Sequence, residues 1–216
     1  MKITYLAHAS FKIVTESGLR ILTDPYEAGS FNGAVKYAPI REEADVVLKS
    51  HDHADHNAVK GLPGKPVVLD KSGEVKGVRF EAVPTFHDAE KGKLRGRNTA
   101  FRFTADGVSV AFLGDLGHEL DKDQVAKLKP VHVLLVPVGG FFTIDAAQAA
   151  RVADALEALV IVPMHYKTPR LGFDIATAEP FLKLRKNVRR AKGSTLDITT
   201  DTLPNVPETV LLDPSL

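Results

Sequence analysis

His51-Asp52-His53-Ala54-Asp55-His56 places three imidazoles and two carboxylates in six residues, directly after the apolar run Val46-Val47-Leu48. The β-branched run predicts a strand, and the hexapeptide is the loop which that strand delivers. Alternate side chains share a face on an extended segment, so His51 and His53 point the same way. As the chain turns, Asp55 and His56 aim at a second point and are expected to open the helix that follows. One side of the stretch can then hold one cation and the other side a second. A polar surface loop is the competing reading, because His and Asp are common in loops. The density of metal-ligand types argues against it.

One loop supplies too few ligands for a divalent site, and the chain offers more at suitable places. His87 follows the strand-like Val78-Arg79-Phe80-Glu81-Ala82-Val83, and Asp115 follows Val108-Ser109-Val110-Ala111-Phe112-Leu113. His165 follows Val160-Ile161-Val162-Pro163-Met164. Each lies just beyond a short β-branched run, so each is expected at a strand exit on one edge of a sheet.

The series Asp24, His51-x-His53-x-Asp55-His56, His87, Asp115 and His165 resembles the metallo-β-lactamase-fold hydrolases. It carries all five sequence motifs of that superfamily, from near the start of the chain to about Thr168. Leu6-Ala7-His8-Ala9-Ser10, Leu22-Thr23-Asp24-Pro25, Val138-Gly139-Gly140-Phe141 and Pro163-Met164-His165-Tyr166 are finer features. These are similar to the branch containing the ascorbate-6-phosphate lactonase and its small single-domain relatives. The resemblance implies an α/β (α+β) fold, a four-layer αββα sandwich. It also implies that His51, His53 and His87 hold one metal, that Asp55, His56 and His165 hold another, and that Asp115 bridges them. Asp24 would order the metal loops from the outer shell, and His8 would contact substrate or stand behind the ligands. A hydroxide between two ions would then be the nucleophile, with Asp55, Asp115 and His8 around the reacting atoms. Nitrogen and oxygen donors suit zinc, and the same set accepts manganese or iron.

Composition narrows the rest. The chain has 216 residues, a formal net charge of +1 and no cysteine. That length suits one domain over residues 1–216, and the charge gives no global field to recruit nucleic acid or an anionic membrane. Without cysteine there are no disulfides, thiolate ligands or thiol nucleophile. Neither the N-terminus nor the apolar stretch Val131–Phe142 has the length of a membrane span, so a soluble, cytoplasmic protein is expected. Homo-oligomerisation stays open.

Elsewhere, Asp121-x-x-Gln124 predicts a capping box for a helix through Leu128, and Thr143 is expected to cap a helix to about Leu159. Ala176 to Val188 reads as a final amphipathic helix, and Val210-Leu211-Leu212 as an edge strand. Glu27 to Ile40 reads as a loop over the site. Lys91-Gly92-Lys93-Leu94-Arg95-Gly96-Arg97 carries four cations in seven residues. A solvated hairpin loop is the plain reading of it. If the segment is extended, Arg95 and Arg97 face one way and form a clamp for substrate phosphate or carboxylate. His118, three residues beyond Asp115, is a further outer-shell candidate.

The expected activity is hydrolysis of a small ester, most naturally a lactone or phosphodiester bearing an anionic group. A nuclease acting on nucleic acid is the alternative within enzymes, although RNA-cutting relatives carry a clamp domain for which there is no room. A non-catalytic sensor of metal or ligand is the alternative outside them.

Overall fold

The computed structural model describes residues 1–216 and contains two β-sheets. Numbering strands along the chain, the first sheet holds β1 (Lys2–Ala7), β2 (Ser10–Val14), β3 (Arg20–Thr23), β4 (Val46–Leu48) and β5 (Val67–Leu69). The second begins with β6 (Gly73–Val75), β7 (Val78–Phe86), β8 (Arg97–Ala105) and β9 (Val108–Phe112). It continues with β10 (Val133–Pro137), β11 (Val160–Met164), β12 (Val188–Arg190) and β14 (Glu208–Leu211), while β13 (Thr195–Asp197) returns to the first sheet. The orders are β13-β1-β2-β3-β4-β5 and β12-β14-β11-β10-β9-β8-β7-β6.

The two sheets form the centre of a mixed α/β sandwich, as the motifs imply. Ile3, Tyr5, Phe11, Ile13 and Ile21 of the first sheet share one buried cluster with Phe80, Phe101, Phe103 and Phe112 of the second. In β9, β10 and β11 every residue is buried, as expected of strands covered on both faces. Val152 and Ala149 of the helix Ala146–Ala155 join this cluster, so that helix supplies the outer cover. A smaller cluster (Leu6, Leu22 and Val47 with Tyr26, Val35, Tyr37 and Leu171) closes the first sheet with loop residues. No helix is long and apolar enough to cross a membrane.

Several local expectations need correction. The helix Lys122–Leu128 has the predicted capping box at Asp121. The longer helix, however, starts at Ala146, and Asp145 rather than Thr143 caps it, by a second box with Gln148. No helix follows His56; the chain makes only a 3-10 turn at Val59–Gly61. Only Glu179–Leu182 is helical in the 176–188 segment. Beyond it Arg189 and Arg190 leave helical geometry for β12, where they pair with Glu208 and Glu179. β12 also lies outside β14, so the Val210 strand is interior and not an edge.

Candidate metal centre

The cluster forms where five strand exits meet. Beyond β4, Ser50 turns the chain and His51 to His56 fold back over the sheet edge. β7 delivers His87, β9 delivers Asp115 and β11 delivers His165, while His8 sits in the bend between β1 and β2. One ligand atom from each of His51, His53 and His87 lies within 4.8 Å of the others. The same holds for His8, Asp55, His56 and His165. Asp115 Oδ2 stands between these groups, 3.1 Å from His56 Nε2 and 3.3 Å from the Nε2 atoms of both His87 and His165. His51 Nε2 is 3.9 Å away from the same oxygen.

A set of hydrogen bonds around the cluster fixes this arrangement. Asp24 accepts from Ser50 N at 2.7 Å, bonds the Ser50 hydroxyl, and faces His56 Nδ1 at 2.7 Å. Asn98 Oδ1 accepts from Asp115 N at 2.9 Å, while Asn98 Nδ2 donates to Leu113 O and Thr85 Oγ1. Gly114, at φ 53°, lets the β9 exit approach this close: a Cβ there would meet Ser50 Cβ at 2.4 Å. His8 O accepts from Tyr5 Oη and from His165 N at 2.8 Å, tying two cluster residues through the backbone. His8, Asp24 and His165 all adopt positive φ (57°, 30° and 51°). Left-handed backbone at non-glycine residues stores strain of about 1–3 kcal/mol each and concentrates at functional sites. Ser50 and Asn98 carry no sequence signal of their own, since their role depends on what distant strands bring to them.

The electrostatics suit cations. Burial is the largest influence on Asp115 and opposes its charge, yet His165 and His56 hold the carboxyl well below its usual range. Asp55 is likewise held low against burial by His56 and His8. Burial pushes the His51 imidazole down to about 2 and His8 to about 4, so both are neutral near pH 7. Buried polar atoms without hydrogen-bond partners include Asp55 Oδ1, Asp115 Oδ1 and His56 Nε2. Such orphans cost about 1–3 kcal/mol each when nothing satisfies them. Their concentration at one point, with imidazole and carboxylate donors only, fits divalent metal binding.

Other candidates lie elsewhere. His118 is not free for the cluster: Nδ1 bonds Glu119 O and Nε2 accepts from Phe86 N, so it orders the β7 exit. The basic loop is not extended. Residues 89–95 wind around Asp88, whose carboxylate accepts backbone N–H bonds from Glu90, Gly92, Leu94 and Arg95. Gly96 at φ 91° then separates Arg95 from Arg97, which breaks the alternation that would have aligned them. Arg95 lines a cavity of about 220 Å³ over the cluster together with His53, Asp55, His87, Asp115 and His165. Arg97 does not; it lines, again with Arg95, a separate polar depression of about 840 Å³ that also touches Lys49, His51 and His53.

Comparison with known proteins agrees with the geometry. A family model described as a beta-lactamase superfamily domain matches residues 2–165. A UPF0173 metal-dependent hydrolase of Thermococcus onnurineus is 32% identical over 212 residues, covering 85% of this chain and 92% of its own. One from Carboxydothermus hydrogenoformans is 30% identical, covering 81% and 89%. A Thermotoga maritima crystal structure of the metallo-beta-lactamase superfamily is 38% identical with a TM-score of 0.81, covering 98% of this chain and 97% of its own. An isothiocyanate hydrolase from Delia radicum gut bacteria shares the fold, at 17% identity and a TM-score of 0.67 over 92% of this chain and 99% of its own.

Proposed function

The chain belongs to the beta-lactamase superfamily domain family and is a metal-dependent hydrolase, and we propose that it works through two divalent ions on a small anionic ester. Lactones and phosphodiesters fall within that substrate class. The observation that carries this reading is the position of Asp115 Oδ2, 3.3 Å from His87 of one triad and 3.1 Å from His56 of the other. His51, His53 and His87 would hold one ion, Asp55, His56 and His165 the second, and Asp115 would touch both. Such ions, zinc foremost, make water nucleophilic near neutral pH and accept charge developing on a carbonyl or phosphoryl oxygen.

The chain's own residues do the rest. Asp24 fixes the His56 ring through Nδ1, leaving Nε2 turned to the cluster. His8, neutral through burial, keeps its proton on Nε2 and donates it to Asp55 Oδ2 at 2.9 Å. That bond orients the carboxylate, whose Oδ1 is buried with no hydrogen-bond partner. Arg95, on the cavity wall, is placed to pair with an anionic group of the substrate.

A turnover panel tests the reading: lactones, carboxylic esters, phosphodiesters and RNA, each with protein reconstituted with Zn, Mn or Fe. Hydrolysis of one small-molecule class, abolished by chelation and by Asp55→Asn, is the expected result. No turnover in protein carrying both ions would overturn it, and preferential cleavage of RNA would replace it with the nuclease reading.

A further inference from the structure

The cavity over the cluster has a polar floor and an aromatic wall. Phe31, Phe142 and Phe173 line it opposite the metal-ligating side chains. Phe31 and Phe142 both meet Phe173 edge-on, at centroid distances of 5.3 and 5.6 Å. Phe141 extends the wall outward, 4.6 Å from Phe142. The guanidinium of Arg95 sits 5.5 Å from the Phe142 ring and 5.9 Å from Phe141, closing the same side.

Phe142 and Phe173 pack against the smaller core cluster, but core packing does not account for Phe31 and Phe141. Phe31 is 50% exposed and Phe141 69% exposed, so neither gains the burial that normally justifies a phenylalanine. Both adopt left-handed backbone, at φ 53° and φ 60°, which a bulky side chain resists. Two strained, water-facing aromatics beside a metal-ligand cluster indicate a surface kept for a ligand. The wall is also pre-set. Gly172 N donates to Ala34 O at 2.7 Å and Lys36 N to Arg170 O at 2.9 Å, which clamps the loop bearing Phe173 to the turn bearing Phe31. Lys167 Nζ holds Phe173 O from the other side.

We propose that Phe31, Phe142 and Phe173 form a specificity pocket for an apolar group of about phenyl size, carried next to the bond that the metal centre hydrolyses. This rests on the hydrolase reading above and adds the substrate's apolar half. The cavity is of aromatic scale, about 220 Å³ against the apolar cavity of about 150 Å³ that takes one benzene. Arg95 is the one Lys or Arg among the lining residues, which suits one anionic group.

Calorimetric titration of the zinc-reconstituted protein with phenylphosphonate and with methylphosphonate tests this directly. Both probes offer the same anion, and only the first offers a ring. Phenylphosphonate is expected to bind about tenfold tighter or more, equivalent to about 1.4 kcal/mol. Phe173→Ala and Phe31→Gly should each bring the ratio below about threefold while leaving methylphosphonate within about twofold of wild type. Phe31→Gly relieves the left-handed strain, so its Tm should not fall, and a lost ratio there reports the pocket and not the fold. Equal binding of both probes by wild type overturns the pocket while leaving the metal centre intact. A ratio that survives both substitutions overturns it too, as does failure of phenylphosphonate to bind. A phenyl preference in protein that hydrolyses nothing in the panel would remove the hydrolase reading and keep the pocket.

Discussion

His56 Nδ1 lies 2.7 Å from Asp24 Oδ2, and both side chains are wholly enclosed. The same carboxylate takes Ser50 N at 2.7 Å, so one acidic group sets both the path of the ligand loop and the rotation of a ligand ring. Asp24→Asn keeps the shape and every proposed ligand but removes the charge that fixes the His56 tautomer. Partners of this kind typically account for 10–100-fold in metal affinity, a range of about one to two decades. Competition against a chromophoric chelator should show a loss of that size. Unchanged affinity would mean that Asp24 is structural only.

Metal content should follow the two triads. Elemental analysis of reconstituted protein is expected to give about two ions per chain, and about one in His165→Ala. The proposed ligands come from four strand exits, so ions bound only by the folded state should also stabilise it. At a free concentration a hundredfold above Kd that linkage is worth about 2.7 kcal/mol. Chelation should lower the Tm and zinc or manganese should restore it. A stoichiometry near one that ignores His165→Ala would defeat the two-ion arrangement.

The clustering of candidate ligands was legible because it obeys local rules: alternation pairs His51 with His53, and β-branched runs point to the exits bearing His87, Asp115 and His165. The two-sheet sandwich came from the motif series, since periodicity alone leaves other α/β layers open. What stayed hidden depends on distant partners. Asn98 matters only because β8 brings it under Asp115. β14 looked like an edge because nothing local announces that Arg189 and Arg190 will pair outside it. The Asp145-x-x-Gln148 box was readable, being the same signal as Asp121-x-x-Gln124, and Thr143 drew attention from it.

Acid stability should carry a contribution from Asp45. Arg20 bonds both of its oxygens and Lys76 lies 2.9 Å away, and the Arg20 bonds, chiefly, hold the carboxyl well below its usual range against partial burial. A depressed folded-state pKa means that the unfolded chain takes up the proton first as pH falls. The stabilisation is therefore fully present above the unfolded value of about 3.9 and is lost as pH drops through the folded one. Urea midpoints of metal-free wild type and Asp45→Asn should differ steadily near about pH 6 and begin to converge only below about pH 4. A pH-independent gap would refute the linkage.

The basic loop gives the sharpest mutational contrast. Asp88 gathers four backbone N–H groups, and this cap, not the charge of the loop, holds Arg95 at the cavity wall. Arg97 begins β8 beyond Gly96 and does not line that cavity. Arg95→Ala should therefore cost about 1.5–3 kcal/mol of affinity for an anionic substrate, the range for a hydrogen bond to a charged group. The loss should fall mainly on KM, because a grip remote from the reacting bond is equal in ground and transition states. A neutral analogue should lose little, and Arg97→Ala should leave both substrates near wild type. Asp88→Ala, which releases the loop without touching either arginine, should reproduce part of the Arg95→Ala effect and lower stability by about 1–3 kcal/mol. Equal losses for Arg95→Ala and Arg97→Ala would restore the extended clamp, and an Asp88→Ala variant with wild-type KM would show that Arg95 needs no such support.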